Sequence, residues 1–112
     1  MEIRYPAKIG QDDEGYYLVR FVDMEDTFTY GNTMKKSLFN AAEVLTGMLE
    51  TKLKHDLEIA EPTPGLSDVH YIFPDAKTQA ALLIRKARGK RSLADLARSL
   101  DTSWPAAQRR LF

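Results

Sequence analysis

The fold is decided by the stretch Gly15-Tyr16-Tyr17-Leu18-Val19-Arg20-Phe21-Val22-Asp23. Aromatic and β-branched residues dominate its middle, and these residue types favour an extended strand. Polar residues 11–14 come before it, and together with Gly15 they are typical of a hairpin turn. The stretch is therefore predicted to be the second strand of a β-hairpin, with residues 3–9 as the first strand.

The first strand is indicated by alternation of apolar and polar side chains over residues 3–9, the period of a strand with one buried face. Pro6 lacks a backbone N–H, so this strand is expected near a sheet edge or with that position unpaired. A short third strand is predicted over residues 27–30. Alternation places four aromatic residues of the second and third strands in the core: Tyr17, Phe21, Phe28 and Tyr30.

A long amphipathic helix is predicted after Gly31, with Asn32 or Thr33 as its N-cap. Apolar residues recur there at spacings of four, three, four and four, which makes one stripe. The stripe consists of Leu38, Ala42, Leu45, Leu49 and Leu53. Residues 61–65 contain two prolines and a glycine and break regular structure, and residues 69–73 form a fourth strand. The order β-β-β-α-β predicts an α+β body with the helix across the sheet.

A charge split divides the chain, although its net charge is zero. Residues 1–76 hold 7 Lys and Arg against 14 Asp and Glu, whereas residues 77–112 hold 9 against 2. Opposite signs at the two ends indicate two surfaces with different partners, and a compact basic end is typical of nucleic-acid binding. Head-to-tail self-association is the electrostatic alternative.

The basic end has the spacing of a helix–turn–helix. Asp75 is expected to cap a helix over residues 76–88, followed by Gly89. The inner stripe of that helix is predicted to be Ala80, Leu83, Ile84 and Ala87. Two further helices are predicted over residues 93–100 and 104–112, the second as recognition helix. The chain is thus divided into a body, residues 1–74, and a helix–turn–helix segment, residues 75–112. That segment stops where its recognition helix stops, so its completeness is left open.

Six residues of this segment are predicted to contact DNA. Gln108 and Arg109 have the donor geometry for adenine and guanine edges, and basic residues before them suit phosphates. The predicted DNA-binding residues are Lys90, Arg91, Ser103, Trp104, Gln108 and Arg109. The alternative is an ordinary helical hairpin with a solvated basic face.

Four short motifs of the chain occur together in one known family. They are Tyr5-Pro6-Ala7, residues 14–23, Thr29-Tyr30-Gly31-Asn32-Thr33 and Asn40-Ala41-Ala42-Glu43-Val44-Leu45. In this combination the chain resembles the HicB antitoxin family, in the form that carries a C-terminal helix–turn–helix. Glu14 and Val22 depart from the family pattern, which has Gly and Pro at these positions.

The resemblance implies a partial ribonuclease-H-like fold for the body and the function of an antitoxin. Such a protein neutralises a HicA-type mRNA-cleaving toxin and represses its own operon by binding operator DNA, as a homodimer or homotetramer. An acidic body suits a small basic toxin, because complementary potentials speed encounter. The residues predicted to contact the toxin are Tyr16, Leu18, Asp23, Glu25 and Asp26.

No catalysis, cofactor or metal is predicted. The absence of cysteine excludes disulfides, thiol catalysis and cysteine zinc sites. Asp23, Glu25 and Asp26 lie in one predicted turn, whereas a metal-dependent nuclease needs carboxylates that converge from strands. With no apolar run long enough to span a membrane and no leader, the chain is expected to be cytoplasmic. The alternative function is a helix–turn–helix transcriptional regulator whose N-terminal domain senses a small molecule.

Overall fold

The structure, a computed structural model, describes residues 3–89 and follows the predicted order of elements. The elements are β1 (Tyr5–Gln11), β2 (Tyr17–Phe21), β3 (Phe28–Gly31), α1 (Met34–Lys54), β4 (His70–Ile72) and α2 (Ala76–Arg88). The α+β class and the β-β-β-α-β body are confirmed. The helices predicted over residues 93–100 and 104–112 lie outside the described residues.

The four strands form one antiparallel sheet in the order β3-β2-β1-β4. β1 and β2 form the predicted hairpin, whose pairing runs from Ala7 with Phe21 to Gln11 with Tyr17. Gly15 adopts a φ of 91° in the turn, a conformation that glycine reaches without steric cost. β4 returns to the other side of β1, so β1 lies inside the sheet.

The position of Pro6 corrects the sequence prediction of an edge strand or an unpaired position, because Pro6 lies opposite Tyr71 of β4 and also bonds to β2. β1 is an inner strand, so the expectation of a sheet edge is wrong. The Pro6 carbonyl accepts a hydrogen bond from the Val22 N–H at 3.0 Å, but the prolyl nitrogen has no hydrogen to donate in return. The β1–β2 ladder therefore ends with one bond instead of two at this position.

The core lies between α1 and one face of the sheet. It unites side chains from β1, β2, β4 and α1: Tyr5, Ala7, Val19, Phe21, Ala41, Leu45, Leu49 and Ile72. Thr33 is the N-cap of α1, and its hydroxyl accepts a hydrogen bond from the Lys36 N–H at 3.0 Å. The predicted stripe faces the sheet, rotated slightly so that Ala41 is fully buried and Ala42 is half-buried.

α2 has the predicted bounds but buries a different face. Asp75 caps it by accepting a hydrogen bond from the Thr78 N–H at 2.8 Å, and Gly89 follows with a φ of 60°. Hydrogen bonding from the Thr78 side chain and backbone holds the pKa of the Asp75 carboxyl below its usual value. None of the helices in residues 3–89 is long and apolar enough to span a membrane.

The buried residues of α2 are Thr78, Ala81 and Leu82, so the predicted stripe through Ala80 and Ala87 is wrong. The physical reason is that polar groups share the buried face. The Thr78 hydroxyl donates to Glu50 at 3.5 Å, and the Arg85 guanidinium donates to the Leu57 carbonyl. A count of apolar residues at helical spacing misses such a face.

Tyr5 ties β1 to the linker that follows α1. Its side chain is buried in the core, and its hydroxyl donates a hydrogen bond to the Ala60 carbonyl at 2.7 Å. Burial, with smaller contributions from the carboxylates of Glu61 and Asp23, raises the pKa of Tyr5 to about 12. The folded protein thus holds the phenol proton more tightly than the unfolded chain does.

We expect the free energy of unfolding to fall as the pH rises from 10 to 12. Unfolded Tyr5 ionises near pH 10, so its contribution is complete below that pH and is lost as the pH passes the folded pKa. The loss approaches about 2–3 kcal/mol. Denaturant titrations of wild type and Tyr5→Phe across this range measure it. The phenylalanine variant should lack this part of the alkaline loss, and an equal loss in both proteins would contradict the assignment.

Candidate interaction surface

The sheet face opposite α1 carries exposed apolar side chains. Pairing between β2 and β3 sets Leu18 beside Tyr30 and Arg20 beside Phe28. Val19 points into the core, so its neighbours in β2 point to the opposite face. The exposed fractions are 48% for Leu18, 65% for Phe28 and 61% for Tyr30. We name this surface the aromatic face, defined by Tyr16, Leu18, Phe28 and Tyr30.

Local contacts hold one end of the aromatic face in place. The rings of Tyr16 and Tyr30 meet edge to face, with centroids 5.9 Å apart and an interplanar angle of 79°. The Asp12 carboxylate accepts hydrogen bonds from the N–H groups of Tyr16 at 2.8 Å and Glu14 at 3.0 Å. The turn therefore fixes the backbone at Tyr16, which reduces the ordering that a partner must impose.

Exposed carboxylates border the aromatic face at both ends of β2. The β1–β2 turn contributes Asp12, Asp13 and Glu14, and the β2–β3 turn contributes Glu25 and Asp26. Two cations, Lys8 and Arg20, are paired across β1 and β2 on the same face of the sheet. An apolar strip between acidic turns is complementary to a basic protein surface with an apolar centre.

The exposure of Phe28 and Tyr30 corrects the prediction that they belong to the core. The inward positions of β3 are Thr29 and Gly31, which pair with Val19 and Tyr17 of β2. α1 comes so close here that a Cβ on Gly31 would lie 2.5 Å from the Ser37 nitrogen. Aromatic rings have no room on that side, so they point outward. Phe21 is buried as predicted, and Tyr17 is half-buried.

The predicted toxin-contact residues divide into two groups. Tyr16 and Leu18 lie on the aromatic face, and Glu25 and Asp26 lie in the adjacent turn. Asp23 is half-buried, and its carboxylate accepts hydrogen bonds from the N–H and hydroxyl of Thr63 at 2.9 and 2.6 Å. Asp23 thus fastens the linker after α1 to the end of β2, a contact that the sequence did not indicate.

The predicted DNA-binding residues lie outside the described part of the chain. They are Lys90, Arg91, Ser103, Trp104, Gln108 and Arg109. Within residues 3–89, no group of three or more His, Cys, Asp or Glu side chains is arranged to hold a metal ion.

A cleft of about 500 Å³ opens between β1, the linker of residues 58–65 and α2. The Arg4 guanidinium stacks on the Tyr71 ring at 4.8 Å from its centroid, and Lys86 pairs with Glu61 at 3.6 Å. Charges of both signs line this cleft, and Lys86 and Glu61 form an ion pair there.

A sequence profile of the HicB-like antitoxins of bacterial toxin–antitoxin systems matches residues 4–79. The chain belongs to this family. It is 27% identical over 85 residues to antitoxin HicB of Escherichia coli K12, a match that covers 76% of this chain and 62% of that protein. The UPF0150 protein of Thermoplasma acidophilum is 31% identical over 68 residues, which cover 61% of this chain and 99% of that protein.

Solved HicB structures have the same fold. The crystal structure of the Burkholderia pseudomallei antitoxin HicB aligns with a TM-score of 0.59 and 13% identity, over 96% of this chain and 92% of that one. The N-terminal domain of the B. pseudomallei HicB antitoxin aligns with a TM-score of 0.52 and 19% identity, over 66% and 98%. The four-stranded sheet with its helices is therefore the arrangement of a HicB antitoxin.

Proposed function

We propose that the chain is a non-enzymatic antitoxin that binds a HicA-type mRNA-cleaving toxin through the aromatic face. In this proposal residues 1–74 are a partial ribonuclease-H-like, toxin-neutralising domain, and residues 75–112 are a helix–turn–helix that represses the operon. The observation that carries the proposal is the exposed strip of Leu18, Phe28 and Tyr30 between two acidic turns. Contiguous exposed apolar surface of this kind marks protein interaction sites.

Neutralisation by coverage requires no chemical step in the antitoxin. Leu18 and Tyr30 supply an apolar centre from which water is excluded, and such centres carry most of the binding energy of an interface. The carboxylates of Glu25 and Asp26 stay at the rim, where they steer a basic toxin and set its orientation. Asp23 contributes indirectly, because it holds the end of β2 against Thr63.

The direct test is rescue of growth. Co-expression of the full chain with a HicA-type nuclease should restore growth, and the two proteins should co-purify as a complex. Failure of rescue with both proteins expressed and folded would refute the antitoxin proposal.

For the operator we expect two different kinds of effect on DNA binding. Gln108→Ala and Arg109→Ala should relax sequence preference, each at a cost of about 1–3 kcal/mol, because these side chains read base edges. Lys90→Ala and Arg91→Ala should weaken binding to all sequences alike and reduce its salt dependence, because they meet phosphates. Gel shifts with operator and scrambled DNA at several salt concentrations distinguish the loss of sequence preference from the uniform loss of affinity.

Lys54→Ala, at the exposed end of α1 in the acidic body, is the control for general charge loss and should leave DNA affinity unchanged. If none of the four substitutions alters binding, the assignment of the groove-reading helix is refuted. One helix–turn–helix binds weakly, so the proposal includes a homodimer or homotetramer that reads two half-sites.

The cleft beside Arg4 and Lys86 favours a second candidate function, a transcriptional regulator that senses a small molecule. Its volume falls within the usual range of ligand sites. This candidate requires a metabolite that raises the melting temperature of the chain and changes its affinity for operator DNA. If toxin changes the affinity for operator DNA and no metabolite does, this candidate function is refuted.

A further inference from the structure

β3 is the edge strand of the sheet beside the aromatic face. The Phe21 N–H donates to the Thr27 carbonyl at 3.1 Å, and hydrogen-bonded pairs alternate along an antiparallel ladder. The backbone groups of Phe28 and Tyr30 therefore point away from β2. The Tyr30 carbonyl accepts a bond from the Asn40 side-chain amide at 2.8 Å. The Phe28 N–H, the Phe28 carbonyl and the Tyr30 N–H have no partner in the described part of the chain.

We propose that two copies of this chain pair through β3, antiparallel about a two-fold axis at Thr29. Phe28 of each copy then lies opposite Tyr30 of the other. The Tyr30 N–H donates to the facing Phe28 carbonyl, and the Phe28 N–H donates to the second lone pair of the Tyr30 carbonyl, whose first lone pair accepts from Asn40. The two sheets become one continuous sheet, and the edge that a soluble protein must protect is closed. The two aromatic faces also become one wider surface.

The charges that flank β3 make this edge self-complementary. Glu25 and Asp26 precede the strand, and Lys35 and Lys36 follow it in the first turn of α1. Antiparallel pairing about Thr29 carries each acidic turn to the start of α1 in the second copy. A two-fold interface needs such reciprocity, because the same patch serves both copies.

The N-terminus of α1 supports the same arrangement. Its first turn has no acidic residue, although the helix dipole favours carboxylates there. Glu25 and Asp26 of the second copy would supply them. A basic toxin fits this edge less well, since Lys35 and Lys36 would repel it. The observations therefore favour a second copy as the occupant of the edge.

A charge-swap experiment on the full chain, without toxin or DNA, tests the proposal. One variant carries Glu25→Lys and Asp26→Lys, and the other carries Lys35→Glu and Lys36→Glu. Each variant alone brings like charges together on both sides of the axis, so its dimer dissociation constant should rise about tenfold or more. An equimolar mixture should recover wild-type affinity, because every contact then joins opposite charges. Sedimentation velocity measures this, and a mixture that associates no better than its components overturns the proposal.

A single cysteine tests the register, since the chain has none of its own. Facing residues of a non-hydrogen-bonded antiparallel pair have Cα atoms about 4.5 Å apart, which a disulfide can bridge. Thr29→Cys should therefore form a cross-linked dimer on mild oxidation. Thr51→Cys, exposed near the end of α1, is the matched control and should stay uncrosslinked.

A dimer without the Thr29→Cys cross-link would place the interface elsewhere and overturn the proposal. Amide hydrogen exchange gives a further measurement, because the Phe28 and Tyr30 N–H groups should be protected in the dimer. Protection that appears only after toxin is added would assign this edge to the toxin, which also overturns it. Self-association is measured without toxin, so failure of the toxin-binding proposal leaves these expected results unchanged.

Discussion

Leu18→Arg is expected to reduce affinity for the toxin about 100-fold or more and to abolish growth rescue, while the fold stays intact. Leu18 lies at the middle of the aromatic face, paired with Tyr30 across β2 and β3. The substitution removes an apolar contact from the centre of the interface. It also places a positive charge against a basic partner, where it would be desolvated without a counter-ion.

Leu57→Arg is the matched control for this substitution. Leu57 is 50% exposed and Leu18 is 48% exposed, so both changes add the same charge at equal burial. Leu57 lies in the linker after α1, away from the aromatic face, and its substitution should leave toxin affinity unchanged. Titration calorimetry with a catalytically inactive toxin measures affinity, and denaturant unfolding should show both variants within about 0.5 kcal/mol of wild type. If Leu18→Arg bound toxin normally, or if both variants lost the same toxin affinity, the toxin would bind outside the aromatic face.

The order of elements was predictable because its signals are local. Gly15 ends a polar turn, Thr33 and Asp75 are good N-caps, and the stripe through Leu45 and Leu49 has helical spacing. Each signal acts within a few residues of chain, so no knowledge of the tertiary structure was needed to find it.

The aromatic face could be predicted only in part. Alternation shows that Leu18 and Tyr17 point to opposite faces of β2, but not which residues of β3 face the core. The indication was present in β3 itself, where small inward residues, Thr29 and Gly31, leave room for α1. Residue size at alternating positions, rather than hydrophobicity, would have placed Phe28 and Tyr30 on the surface.

Contacts between residues far apart in the chain could not be predicted from local sequence patterns. The bond between Asp23 and Thr63 joins residues 40 positions apart. The buried face of α2 was misplaced because Thr78 lies within it, and polar residues do not contribute to an apolar stripe. Both cases depend on tertiary packing, which determines which polar groups find hydrogen-bond partners when they are buried.

Gly31→Ala is expected to destabilise the protein by about 3 kcal/mol, at the upper end of the usual cost of overpacking. A Cβ at this position would lie 2.5 Å from the Ser37 nitrogen, 2.8 Å from its Cα and 2.9 Å from the Lys36 carbonyl carbon. These are backbone atoms of the first turn of α1, so no side-chain rotation relieves the clash. Either β3 or the start of α1 must move.

Gly47→Ala, inside α1, is the control, and its effect should have the opposite sign. In the described part of the chain, only the helix's own backbone and chain neighbours approach a Cβ at Gly47 within 4 Å, and the residue lies inside α1. Alanine there should stabilise the protein by about 0.5–1 kcal/mol, because glycine loses more conformational freedom in a helix. Denaturant titrations measure both changes, with the same slope of unfolding free energy against denaturant concentration used for both variants.

The position of Gly31 also connects the stability of the fold to the aromatic face. Tyr30 precedes it, and the Asn40 side chain holds the Tyr30 carbonyl, so a displaced β3 moves a ring of that face. Gly31→Ala should therefore lower stability and toxin affinity together, whereas Leu18→Arg should lower affinity at unchanged stability. If Gly31→Ala bound toxin normally despite its lost stability, the ring of Tyr30 would not belong to the toxin contact.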